Sequence, residues 1–123
     1  MKQILTLAAL SMTVLSAQAE VVEIRWSGEG RFEHQATVAP AKFVELCGKL
    51  PAGMRVSWGF EAGAPLDFNI HYHAGKKVVF DTRLKAVANS SDTLLSKLEQ
   101  DYCWMWTNES TLATTLSVDL HRN

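Results

Sequence analysis

Apolar and polar residues alternate with a period of two through most of the chain beyond residue 30. Phe32, His34, Ala36 and Val38 interleave with Arg31, Glu33, Gln35 and Thr37, and Val56, Trp58, Phe60 and Ala62 interleave with Ser57, Gly59 and Glu61. The clearest case is Leu66, Phe68, Ile70 and Tyr72 against Asp67, Asn69, His71 and His73. The last is Leu112, Thr114, Leu116, Val118 and Leu120 against Thr115, Ser117, Asp119 and His121. Each run is the signature of a strand with one face in a core and one in water. Turn residues punctuate the runs at Gly28 and Gly30, Pro51 to Gly53, Gly63 to Pro65, Gly75 and Asn89 to Asp92. Ala74-Gly75-Lys76 has the form of a tight hairpin. Residues 40–50 and 91–99 are ambiguous, because Asp92 followed by Leu94, Leu95 and Leu98 suits either a short helix or a strand. About eight short strands without βαβ alternation predict an all-β antiparallel sandwich.

The first residues follow a different rule. Lys2 precedes an apolar stretch from Ile4 to Leu15, and Ala17-Gln18-Ala19 supplies small residues at the spacing of a cleavage site. This is the pattern of a secretory signal peptide over residues 1–19, leaving one domain at 20–123. The apolar stretch falls short of the roughly 20 residues needed to span a bilayer, so no membrane span is expected after cleavage. Loss of Lys2 leaves eleven basic side chains against thirteen acidic ones. That balance offers no electrostatic footprint for nucleic acid. The expected compartment is periplasmic or secreted, where disulfides persist. Cys47 and Cys103 are the two cysteines in the chain, and they are expected to be bonded to each other, stabilising the fold by about 4 kcal/mol on the chain-entropy model. The rival reading keeps Cys103 as a free thiolate ligand.

The order Cys47, Val56-Ser57-Trp58-Gly59-Phe60-Glu61-Ala62, Phe68-Asn69-Ile70-His71, Val78-Val79-Phe80, then Tyr102-Cys103-Trp104-Met105-Trp106-Thr107-Asn108 resembles the GOLD (Golgi-dynamics) domain. The resemblance covers residues 36–120. It implies a jelly-roll-like sandwich with a disulfide between an early and a late strand, Cys47 to Cys103, and a general role in binding. The family's coiled coil, membrane span and trafficking role are not expected here, and the chain reads as a stand-alone exported domain.

Candidate chemistry concentrates in two places. If Leu66, Phe68, Ile70 and Tyr72 take the core, His71 and His73 leave the same side of the strand with Cα atoms roughly 6.5 to 7 Å apart. Neutral imidazoles at that spacing suit copper or zinc, with Asn69 or Asp67 next along the face and His121 as a remote third nitrogen. The alternative is a solvated strand face. His34 shares the face of Phe32 and Val38 and is expected as a core or rim residue. In the run Cys103-Trp104-Met105-Trp106, cysteine and methionine share one face, and Tyr102, Trp104 and Trp106 share the other. With Cys103 and Met105 inward, the aromatic row forms an exposed surface for a protein or a carbohydrate. With the row inward, the disulfide lies along the outer surface.

No Gly-x-Ser-x-Gly elbow, His-Glu-x-x-His, phosphate loop or dinucleotide fingerprint occurs. Asn89-Ser90-Ser91 and Asn108-Glu109-Ser110 match the glycan acceptor pattern. The expected function is therefore a non-catalytic binding module, with copper or zinc at His71, His73, Asn69 and His121 first. An interaction module built on Tyr102, Trp104 and Trp106 comes second, and an envelope structural factor without a discrete ligand third.

Overall fold

Seven strands form in the computed structural model, which describes residues 19–123: β1 (Glu20–Glu23), β2 (Arg31–Val38), β3 (Phe43–Leu50), β4 (Met54–Ala74), β5 (Lys77–Ser96), β6 (Gln100–Thr107) and β7 (Thr114–Arg122). Apart from Ala19, the expected signal peptide lies outside the described residues. The described residues are all-β, with a disulfide between Cys47 and Cys103. Among the described residues no helix is long and apolar enough to cross a membrane.

The turn signals at Gly63 to Pro65 and Asn89 to Asp92 do not end strands. Both fall inside the long β4–β5 hairpin, so runs that read as separate strands are joined. The reason is that β4 keeps one neighbour and exchanges the other. It pairs with β5 along its length, but its first half (Val56–Ala62) pairs with β7 and its second half (Asp67–His71) with β6. Register shifts between Glu61 and Leu66 mark the crossing, where bulges bend and coil a strand without releasing it. The single sheet, ordered β1-β3-β6-β4-β7-β2 with β5 alongside β4, thereby curls into two facing leaves. One leaf holds β2, β7, the first half of β4 and the end of β5; the other holds β1, β3, β6, the second half of β4 and the start of β5. The β1–β3 pair is parallel, a departure from the antiparallel expectation.

Period two fixes what lies between the leaves. Val56, Trp58 and Phe60 of one leaf meet Phe68, Ile70, Trp104 and Trp106 of the other, all buried. The rings interlock: Trp58 and Phe60 each lie 4.9 Å from Phe68, and Phe60 meets Trp106 edge-on at 5.5 Å. The exposed aromatic row is thus corrected. Trp104 and Trp106 are wholly buried and Tyr102 nearly so, because large flat side chains gain most by leaving water. Their neighbours Cys103 and Met105 take the outer wall.

The ends are tied locally. Gly75, at φ 62°, makes the expected hairpin between Ala74 and Lys77. Asn108 is buried and its Nδ2 donates to Val38 and Leu112 carbonyls, so it is a loop staple and its amide is not free for a glycan. That staple holds Leu112 outside β7, where it is exposed. His34 sits at the rim, with Nε2 3.1 Å from Glu20 Oε1, clasping the edge of one leaf to that of the other.

Two outcomes follow for the disulfide and the core. The Cys47–Cys103 bond closes a separation of 56 residues, so replacing both cysteines by serine should cost about 4 kcal/mol. Urea unfolding of the oxidised protein and the variant measures it. Trp104→Ala and Trp106→Ala should each cost about 3 to 5 kcal/mol, whereas the Phe substitutions should cost far less. Neither buried indole Nε1 has a hydrogen-bond partner, so phenylalanine forfeits no bond. Phe variants as damaging as the Ala ones would contradict this packing.

Candidate functional site

The outer wall of the second leaf is built by three adjacent strands. Across them the register sets Cys47 opposite Cys103 and Cys103 opposite His71, and in the next row Glu45 opposite Met105 and Met105 opposite Asn69. Residues opposite one another in a ladder share a face. His71 on β4 and Glu45 on β3 therefore arch over β6, passing between Cys103 and Met105. Their atoms meet: His71 Nε2 lies 3.1 Å from Glu45 Oε1. On its other side, His71 Nδ1 lies 2.7 Å from Asn69 Oδ1. The Phe80 ring flanks the imidazole at 6.0 Å.

This geometry corrects the solvated polar row. His71 is 5% exposed, because its ring lies down on β6 instead of standing into water. Burial pushes its pKa below the ordinary 6.5; the Glu45 carboxylate opposes that shift and His73 reinforces it. His73 is exposed, as expected, with its ring edge-on to His71 at 5.3 Å. Asn69 is on the same face, where its amide oxygen orients the His71 ring. His121 is not brought to the group: it sits on β7 opposite Ser57 and Arg31, in the other leaf. Phase along β7 was readable, but which half of β4 that strand would join was not.

Glu45 is the residue that sequence reasoning missed. It lay in the ambiguous segment before Cys47, and only the β3–β6–β4 neighbour order brings it over β6 to His71. The signal available was its position two residues from Cys47, hence on the same strand face. Among the described residues, Glu45, His71 and Cys103 form a set whose ligand atoms lie within 4.8 Å of one another. Imidazole and carboxylate are donor types that zinc and copper take, whereas the Cys103 sulfur, bonded to Cys47, is not a thiolate donor in this state. Beside this set, the guanidinium of Arg83 lies 3.9 Å over the Phe80 ring. The depression lined by Glu61, Ser90, Ser117 and Asp119 lies on the outer wall of the other leaf and has no imidazole in its lining.

No family model and no curated protein matches the chain. Solved structures do. A periplasmic inhibitor of g-type lysozyme from Aeromonas hydrophila, PliG, is 10% identical with a TM-score of 0.68, covering 86% of this chain and 98% of its own. PliG from Salmonella Typhimurium is 12% identical with a TM-score of 0.58, over 86% and 100%. The pre-peptidase C-terminal domain of a Bacillus anthracis collagenase is 6% identical with a TM-score of 0.57, over 86% and 95%. At these identities the likeness is one of fold.

The buried imidazole makes stability depend on pH. In the unfolded chain His71 regains its ordinary value, so below about 6.5 the unfolded form takes up a proton that the folded form resists. Its contribution is complete above that value and declines as pH falls through the lower folded one. In chelator-treated protein, urea unfolding from neutral to mildly acidic pH should show a decline that His71→Gln flattens. Parallel pH curves for the two proteins would contradict the depressed value.

Proposed function

We propose that this chain is an exported, non-catalytic binding module of the GOLD-like kind, periplasmic or secreted, whose ligand centre is the wall around His71. Copper or zinc is held there by His71 and Glu45, with exposed His73 turning in as a further nitrogen. The observation that carries this reading is the His71 ring between two oxygens. In the tautomer whose Nδ1–H donates to Asn69 Oδ1, the Nε2 lone pair of the neutral imidazole faces the Glu45 carboxylate. Two acceptors so placed favour a cation between them. The arrangement is that of metal-bound histidines, whose second nitrogen is fixed by an oxygen acceptor behind the ligand. His121 has no part in it, and Asn69 supports the ligand ring.

A second reading has its own observation. The same wall carries Phe80, 38% exposed, beneath Arg83 and near the half-exposed Val78, and aromatic and arginine side chains together are typical of protein-binding hot spots. The periplasmic lysozyme inhibitors that share the fold make a protein partner the natural form of this alternative. It takes the place of the Tyr102, Trp104 and Trp106 surface, which is interior.

Calorimetry of the oxidised protein with copper(II) and zinc tests the first reading. Micromolar or tighter binding is expected, lost in His71→Ala and Glu45→Ala and weakened in His73→Ala, while His121→Ala is unchanged. Binding no tighter than millimolar, or equal in the His71 and Glu45 variants, would end it. For the second reading, the protein should inhibit a g-type lysozyme and Phe80→Ala should abolish that inhibition. Absence of inhibition would remove that partner.

A further inference from the structure

The disulfide is the unused part of this wall. It joins directly opposed residues of neighbouring antiparallel strands, Cys47 on β3 and Cys103 on β6, with Cα atoms 4.1 Å apart. The ladder continues on both sides of it, Leu46 opposite Trp104 and Gly48 opposite Tyr102. Those inward residues pack in or beside the core. Opening the sulfur–sulfur bond therefore leaves two thiols held side by side by backbone pairing and by the tryptophans beneath. His71 and Glu45 already stand with their ligand atoms within 4.8 Å of the Cys103 sulfur.

We propose that reduction of Cys47–Cys103 turns this wall into a four-donor site, two thiolates with His71 and Glu45, for a thiophilic divalent ion of the zinc class. The inference deepens the reading above by keeping His71 and Glu45 as ligands, and it adds a second state of the same wall. A tetrahedral zinc site places donors about 2.0 to 2.3 Å from the ion, hence about 3.3 to 3.8 Å from one another. The observed spread of imidazole, carboxylate and sulfur needs only side-chain rotation to close to that. Two thiolates, one imidazole and one carboxylate are borderline-soft donors, which favour zinc over calcium or magnesium. Asn69 stays behind the His71 ring as its orienting acceptor.

The chemistry balances with a dithiol as reductant. Its two thiols become a disulfide as Cys47 and Cys103 become thiols, a transfer of two electrons and two protons. Binding of the divalent ion then releases two protons to water, since thiolates are the ligands. The disulfide ties β3 to β6, whereas the ion ties β3, β6 and β4 together. The reduced protein should therefore depend on metal for stability more than the oxidised one, which keeps its covalent tie.

The test is an anaerobic titration of the full chain with cobalt(II), followed by zinc, in the oxidised protein and after reduction with a phosphine. Absorption, circular dichroism and tryptophan fluorescence are read together. The reduced protein should develop thiolate-to-cobalt charge-transfer bands with the intense visible bands of tetrahedral cobalt. Zinc should displace both, and zinc should raise the melting temperature of the reduced form by more than that of the oxidised form. In the reduced state Cys47→Ser should lose the charge-transfer bands. His71→Ala should weaken binding by more than the about 10- to 100-fold that follows loss of a supporting second-shell partner. Three results overturn the proposal: no thiolate band, bands unchanged in both His71→Ala and Glu45→Gln, or a reduced chain that is unfolded and that neither ion refolds. The oxidised arm reports separately. Zinc or cobalt binding there without a thiolate band in the reduced protein would sink this inference alone, and the reverse would sink the oxidised site alone.

Discussion

Strand alternation at β6 decides the rest of the molecule. A strand has two faces and Tyr102, Trp104 and Trp106 occupy one of them, so sending those rings inward sends Cys103 and Met105 outward. Had the smaller sulfur-bearing side chains gone inside, two indoles and a phenol would have faced water, at a hydrophobic cost several times larger. The choice is therefore not close. It places the disulfide on the wall of the sandwich, away from the aromatic core, and it puts a sulfur beside whatever the flanking strands project on that side. The site on this wall is a consequence of how the core was filled.

The second constraint is the length of β4. By keeping β5 and exchanging β7 for β6 at the bulged crossing, this strand belongs to both leaves. Its first half supplies Trp58 and Phe60 to the core, and its second half supplies Phe68 and Ile70 from the opposite side. Because alternation survives the crossing, the outward residues of the second half are Asn69, His71 and His73. Asn69 and His71 lie opposite Met105 and Cys103 of β6, and β3 brings Glu45 from beyond it. Core packing and site geometry are set by the same strand.

Legibility in the sequence follows this division. Period two marked the inward residues of β2, β4 and β7 individually, because alternation is a local property of each strand. The disulfide was legible from the cysteine count with the leader pattern. Strand number was not. Gly63 and Pro65 carry the chemistry of a turn, and only the β5 ladder running past them shows that the strand bends there without ending. His71 and His73 were legible as a pair on one face, but the burial of one and the exposure of the other were not. That difference depends on Glu45 reaching across β6, a contact between residues 26 positions apart. His121 failed for the complementary reason: its face was readable, while its neighbour in the sheet was a matter of topology.

An imidazole laid down on a sheet wall against a carboxylate is an unusual use of that wall. Desolvating the ring and burying most of the Glu45 side chain costs free energy that their close approach returns only in part, and apolar residues of similar volume would commonly serve stability as well or better. The surroundings could accept such residues, since Met105, Phe80 and the disulfide already form a small apolar patch around the ring. Stability of the fold is supplied elsewhere, by the two-sided aromatic core and the covalent tie between β3 and β6. What the His71, Glu45 and Asn69 arrangement adds is a fixed direction for one nitrogen lone pair, with a carboxylate opposite it and sulfur alongside. That is a property of use to a ligand and of little use to folding, and it is why the proposed ligand centre is set on this wall.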